Sequence, residues 1–184
     1  MPAPAVIILA AGKGERFLAS GGNTHKLDAL LHGKPVLTHV LDAVQAAGLA
    51  WHLVRPDGGT RGMGDSIALG VQATRDAGGW LILPADLPLI QPTTLRRVAD
   101  ALREDTVVIP HYQQRQGHPV GFGRKYFAAL AALSGDVGAK TIVQQARSCG
   151  ATLDLTSDDV GIVQDVDRVG DIHFIEKLRK IQAL

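Results

Sequence analysis

Residues 5–17 read AVIILAAGKGERF: five apolar residues without a break, then two alanines, two glycines and the charged Lys13, Glu15 and Arg16. An apolar run of that length is a strand buried on both faces, and the small-residue, cationic run that follows is the loop by which the chain leaves it. Gly12 and Gly14 can take backbone angles denied to other residues, so successive amides can face one anion while Lys13 and Arg16 add positive charge. The same residues fit a tight turn with solvated charges, and on this stretch alone both readings stand.

Moving outward, Ser20–Asn23 is a glycine-rich connection to His25 and Lys26. A lysine beyond such a loop is either a point charge for a polyphosphate or a solvated loop residue. Val36, Leu37, Val40, Leu41 and Val44 recur at helical spacing and predict a helix over 36–47, stopped by Gly48. A short strand is expected over 51–54, ending at Arg55-Pro56. The next helix, over 66–77, follows Arg61-Gly62-Met63-Gly64-Asp65-Ser66. Asp65 or Ser66 serves there as a cap, or the glycine-fronted helix start, with Arg61 beside it, seats an anionic or sugar group.

The apolar strand over 80–83 ends in Pro84-Ala85-Asp86-Leu87-Pro88. An acid at the carboxyl end of a central strand in an open α/β sheet lies where ligands bind, and flanking prolines stiffen a group that must hold a cation. The alternative is a turn or helix cap. A helix over 93–103, a strand over 107–110 and a polar hairpin-like excursion over 111–117 come next, then His118 between a glycine and a proline, either a ligand contact or a buried structural histidine. A helix is expected over 124–133 and another from about 140 to 148, with Asp136 as its cap. Gly161–Gln164 reads as a last short strand, which would point Asp165 and Asp167 the same way toward one cation. The closing amphipathic helix, from about Val169, has Ile172, Ile175, Leu178 and Ile181 on one face.

Composition sets the remaining bounds. Lysine and arginine total 19 against 18 acids, with no block of like charge, which argues against a duplex-binding protein. Aromatics, at 4%, are too sparse for base-stacking platforms. One cysteine, Cys149, excludes a disulfide framework and reads as an idle thiol. The sequence shows no signal peptide and no apolar run long enough to span a bilayer, so the expectation is a cytoplasmic protein without membrane contact, folded as one domain over 1–184.

Alternating strands and helices predict a mostly parallel sheet covered on both faces. Taken together, LAAGKGERF, HKL, GMGDSIALGV, PADLP, GHPVGF, GDVGAK and DVDRVGD, spanning Ile8 to Asp171, resemble the ordered motifs of the MobA-like nucleotidyltransferases, the family of the molybdenum cofactor guanylyl- and cytidylyltransferases. The resemblance implies a Rossmann-like α/β fold and transfer of a nucleoside monophosphate from a nucleoside triphosphate to a small phosphorylated acceptor, with pyrophosphate released. It implies that Leu9, Ala10, Ala11 and Gly12 hold base and ribose, and that Gly14, Arg16 and Lys26 contact the triphosphate. Gly64 and Ser66 join the nucleotide site, and His118 and Asp136 fall on the acceptor side. Asp86, with Asp167, would bind Mg2+, and Arg16, Lys26 and Asp86 would be catalytic. Ala10-Ala11, GHPV and GDVGA lean toward the cytidylyl branch and CTP over GTP, with a molybdopterin acceptor and a molybdoenzyme or chaperone as a further partner; a sugar or alditol phosphate is the alternative acceptor. The chain departs from the pattern in having a short segment between Val54 and Gly62, and His25 where a proline is usual. A dinucleotide-binding oxidoreductase is the rival enzyme class, but Phe17 stands where the fingerprint needs its third glycine. A non-catalytic nucleotide-binding homologue is the other alternative.

Overall fold

A computed structural model describes residues 2–182, with side chains to residue 178. Strand β1 (Ala5–Leu9) lies between two parallel neighbours, β4 (Ala50–Val54) and β5 (Gly79–Pro84). Its residues alternate between two cores: Val6 and Ile8 pack on one side of the sheet, Ile7 on the other. Leu81 and Leu83 of β5 follow the first, Trp80 and Ile82 the second. A strand so buried on both faces explains why β1 is a continuous apolar run without polar alternation.

Beyond β5 the order is β8 (Val120–Gly123), β6 (Val107–Tyr112) and β7 (Arg115–Gln116), with β9 (Thr152–Thr156) pairing β6 in parallel. Strand β8 runs antiparallel to both β5 and β6, so those two share a direction, and β7 returns from β6 as a hairpin. The seven-stranded sheet is therefore mostly parallel. A separate two-stranded hairpin, β2 (Leu30–Leu31) with β3 (Lys34–Pro35), follows the short α1 (Glu15–Ala19).

Helices α2 (Val36–Ala46), α4 (Pro92–Ala101) and α7 (Val169–Gln182) cover the first face through Val40 and Val44, Leu95 and Val98, and Ile172 and Ile175. On the second face, α3 (Met63–Ala73), α5 (Phe127–Ala131) and α6 (Lys140–Ser148) contribute Ile67 and Val71, Leu130, and Ile142 and Ala146. Gly70 brings α3 directly onto the sheet: a Cβ there would strike Ile7 and lie 3.0 Å from Val54. Among the described residues no helix is long and apolar enough to cross a membrane.

Several expectations are corrected. Gly161–Gln164 is not a strand; a single 3-10 turn, Val160–Ile162, occupies it, because Asp159 accepts from the Gly161 N–H and starts the turn. The segment over 120–123, for which no strand is expected from the sequence, is the central strand β8, where Gly121 leaves room for Val98 of α4 and for Leu102 just after it. Strand β9 carries no unbroken apolar signal, since its Leu153 and Asp154 are exposed at the sheet margin. Helix α3 begins at Met63 with Gly62 as its cap residue, so neither Asp65 nor Ser66 caps it, and α6 begins after Ala139 without a side-chain cap, so Asp136 does not cap it. The expected helix over 124–133 is a 3-10 turn, Arg124–Tyr126, continued by the shorter α5.

Candidate active site

Because β1 pairs in parallel with β4 and β5, the loops leaving all three open at one end of the sheet. The register carries on into the loops: the Ala10 N–H donates to Val54 O at 3.0 Å and the Ala85 N–H to Leu9 O at 2.9 Å. At that end lies a cleft of about 880 Å³, bordered by residues 9–16, Lys26, Leu27, residues 60–63, Ser66, Pro84, Asp86, Asp136 and Asp167. The carboxyl end of a parallel sheet is where open α/β folds place ligands.

Two ion pairs cross this cleft. Lys26 Nζ donates to Asp86 Oδ2 at 2.9 Å, with both side chains less than one fifth exposed. Arg16 NH1 reaches Asp167 Oδ2 at 3.3 Å and is 73% exposed. Each pair joins a cation from the stretch after β1 to a carboxylate from elsewhere. Asp167 reaches the cleft because the Val166 N–H donates to Asp86 O at 2.9 Å, tying the distant 165–167 segment to the end of β5. The cause is thus a backbone bond, not the strand alternation expected from the sequence. Asp165 lies outside the cleft lining, and its carboxyl is held above the usual range by partial burial first and by the neighbouring Asp86 charge second.

Asp86 and Asp167 offer hard oxygen donors on one cleft, which suits a cation that keeps several waters and takes its other ligands from substrate phosphates. Among the described residues, no group of three or more acidic, histidine or cysteine side chains is arranged as an all-protein metal cage.

The start of α3 also borders the cleft, through Met63 and Ser66. Asp65 accepts from the Gly135 N–H at 2.8 Å through Oδ1, and from the Arg61 backbone and Nε at 3.2 and 3.1 Å through Oδ2. The Gly135 bond holds its carboxyl below the usual range; burial opposes it, and the bonds and charge of Arg61 add to the lowering. Thr60 Oγ1 and Ser66 Oγ share a bond of 2.7 Å. Gly64 is buried beneath the 134–137 loop, its N–H donating to Gly135 O at 2.9 Å.

Of the residues singled out from sequence, the cleft gathers Leu9, Ala10, Ala11, Gly12, Gly14, Arg16, Lys26, Ser66, Asp86, Asp136 and Asp167. Gly64 and His118 do not line it. His118 is mostly enclosed, and burial pushes its imidazole below the ordinary histidine value, against the opposing pull of the Asp86 charge. Sequence reasoning missed Thr60, in the irregular segment before α3, Met63, the first residue of that helix and part of the quoted GMGDSIALGV, and the part played by His25. That ring accepts from the Leu27 N–H at Nδ1 (3.1 Å) and bonds Gly12 O through Nε2 (2.6 Å).

Comparison with known proteins agrees with this fold. The nucleotidyl transferase of Methanothermobacter thermautotroptrophicus superposes with a TM-score of 0.79 at 20% identity, covering 97% of this chain and 99% of that one. Rv0371c of Mycobacterium tuberculosis gives 0.76 at 23% identity over 95% and 98% of the two chains, and a structure of that protein in complex with manganese gives 0.71 at 22%, over the same shares. A CMP:2-keto-3-deoxy-manno-octonic acid synthetase complexed with CTP gives 0.64 at 13%, over 98% and 100%. At such identities the likeness is one of fold. The bifunctional protein GlmU of Nitrosomonas europaea is 30% identical over 143 residues, 65% of this chain and 30% of that protein. The chain spans about a third of the length of the GlmU relatives it matches. The model of the MobA-like NTP transferase domain matches residues 46–149, more than half of the chain, and the chain belongs to that family.

Proposed function

We propose that this protein transfers a nucleoside monophosphate, cytidylyl in our reading, from a nucleoside triphosphate to a small phosphorylated acceptor of the molybdopterin type. The observation that carries the proposal is the Lys26–Asp86 pair, at 2.9 Å, in the wall of the cleft that the glycine loop borders. Without ligand, each charge neutralises the other. A triphosphate takes over Lys26 and Arg16, and the freed Asp86 and Asp167 are the residues that would hold a divalent cation, Mg2+ or the manganese found with Rv0371c. When bound, such a cation would offset charge on the phosphate oxygens.

The chain's own residues then do three things. Amides of the glycine loop and the side chains of Lys13, Arg16 and Lys26 bind the β- and γ-phosphates and stabilise the charge that grows on the leaving pyrophosphate. Leu9–Gly12 and Ser66 orient the nucleoside so that the α-phosphorus faces the acceptor. Asp136, also in the cleft lining, positions the acceptor, whose phosphate oxygen attacks the α-phosphorus in line as the bond to the pyrophosphate oxygen breaks. No protein nucleophile takes part.

A sugar or alditol phosphate as acceptor is the second reading. It is favoured by His118 lying outside the cleft lining, which leaves Asp136 as the acceptor-side residue there and a polar contact set less particular than a pterin needs. The test is pyrophosphate release with each of four nucleoside triphosphates and Mg2+ or Mn2+, against molybdopterin and a panel of sugar phosphates. Release with CTP and molybdopterin alone is the expected result; release with a sugar phosphate selects the second reading. Silence from every pair, with folded protein, rejects both.

A further inference from the structure

The imidazole of His25 sits between two backbone groups that belong to different parts of the site. Its Nδ1 accepts from the Leu27 N–H at 3.1 Å, and a neutral imidazole that accepts at one nitrogen carries its proton on the other. Nε2–H therefore donates to the carbonyl of Gly12, at 2.6 Å. Nothing else packs where a Gly12 side chain would be: a Cβ there would meet no atom within 4 Å. At Gly14, which has φ +66°, a Cβ would lie 3.4 Å from His25 Nε2, so the ring backs the loop at both glycines.

Planarity turns this into an orientation. In a trans peptide the carbonyl and the following N–H point in opposite directions. With Gly12 O held on the ring, the Lys13 N–H faces away from His25. The ring is not part of the cleft lining, whereas Gly12, Lys13 and Gly14 are. The next residue after the ring, Lys26, carries the ammonium paired with Asp86.

We propose that His25 is a positioning residue, a latch that sets the Gly12–Lys13 peptide for triphosphate and ties the loop's amides to the ammonium of Lys26; this rests on the nucleotidyltransferase reading. The latch acts through the Nε2–H to Gly12 bond, whereas the Leu27 bond selects the tautomer. Substitutions separate the two. His25→Gln keeps a donor at the reach of Nε2, and His25→Asn keeps an acceptor at the position of Nδ1 but loses the bond to Gly12.

The experiment measures steady-state kinetics with the nucleoside triphosphate that the unmodified protein turns over, alongside hydrogen–deuterium exchange of the 9–16 peptide without ligand. His25→Ala and His25→Asn are expected to raise KM for that triphosphate about tenfold, the scale of one or two lost hydrogen bonds, with a smaller change in kcat. Exchange of the loop amides rises in both. His25→Gln returns both readouts toward the unmodified protein. Native behaviour of His25→Asn with failure of His25→Gln would overturn the latch, as would an unchanged KM in all three variants. Should the unmodified protein turn over no triphosphate, the function fails, and loop exchange in His25→Asn alone decides the latch: unchanged exchange rejects it.

Discussion

Lys26 and Asp86 face each other in a cleft wall where water is partly excluded, so removing either partner leaves a charge without compensation. Lys26→Ala and Asp86→Ala are each expected to lower turnover roughly a hundred- to a thousand-fold, the scale of one lost transition-state contact. Pyrophosphate release with a circular dichroism check of folding measures this. Asp65 makes a different prediction, about pH. Its carboxyl titrates below the ordinary 3.8 in the fold, so the folded protein binds fewer protons there than the unfolded chain does. Its contribution to stability is therefore complete above the unfolded value and lost as pH falls through the lower folded one. In urea titrations, the stability gap between the unmodified protein and Asp65→Asn should narrow as pH drops from about 5 to about 3. Neither role could be assigned from one residue's identity. Asp86 also fits a turn cap, and Asp65 a helix cap, until their partners across the fold are known.

Loops at this site are set by the elements they leave. The first turn of α3 holds the 134–138 loop, because Gly64 and Asp65 both donate to Gly135 O while Asp65 accepts from Gly135 N–H. A Cβ at Gly64 would meet Val137 O and lie 2.7 Å from Ser134 O. Gly64→Ala should cost about 1–3 kcal/mol by displacing that loop, and with it Asp136; the midpoint of urea denaturation reads the loss. Asp159 plays the corresponding part on the other side. It is 4% exposed and accepts from Gln91 N–H at 3.0 Å, Thr94 Oγ1 at 2.7 Å and Gly161 N–H at 2.8 Å, joining the start of α4 to the 3-10 turn. Asp159→Ala should cost about 2–4 kcal/mol, against about 1 kcal/mol for Thr94→Val. The sequence contains Asp159 among three polar neighbours, with nothing to separate a buried cap from a solvated loop; its partners at the start of α4, Gln91 just before the helix and Thr94 within it, lie 68 and 65 positions away.

For the whole molecule, the cleft predicts linkage between ligand, metal and stability. Nucleoside triphosphate at a hundred times its dissociation constant, with Mg2+ or Mn2+, adds about 2.7 kcal/mol, or roughly 5–10 °C in Tm for a chain of this size. Chelation should remove most of that shift together with turnover, and restoring the metal should return both. Differential scanning calorimetry with and without chelator checks this, and a triphosphate shift indifferent to metal would count against the carboxylate pair as its holder.

What the chain's order of residues determined on its own was the frame: β1 as a buried strand, the glycine loop after it, β5 leading into the turn that carries Asp86, and helices alternating with strands. These are local signals, written as apolar runs, spacing and turn residues within a dozen positions. Tertiary structure alone decided the insertion of β8 between β5 and β6, the existence of β9, and how Asp167 comes to the cleft. It also decided that His118 stays out of the lining and that His25 grips Gly12. The reason is physical: β8 is recognised by the strands it pairs with, and Asp167 is placed by a bond from Val166 to Asp86 O across the fold. Contacts between residues far apart in the chain leave no periodicity behind them, so they are legible only once the sheet has brought the partners together.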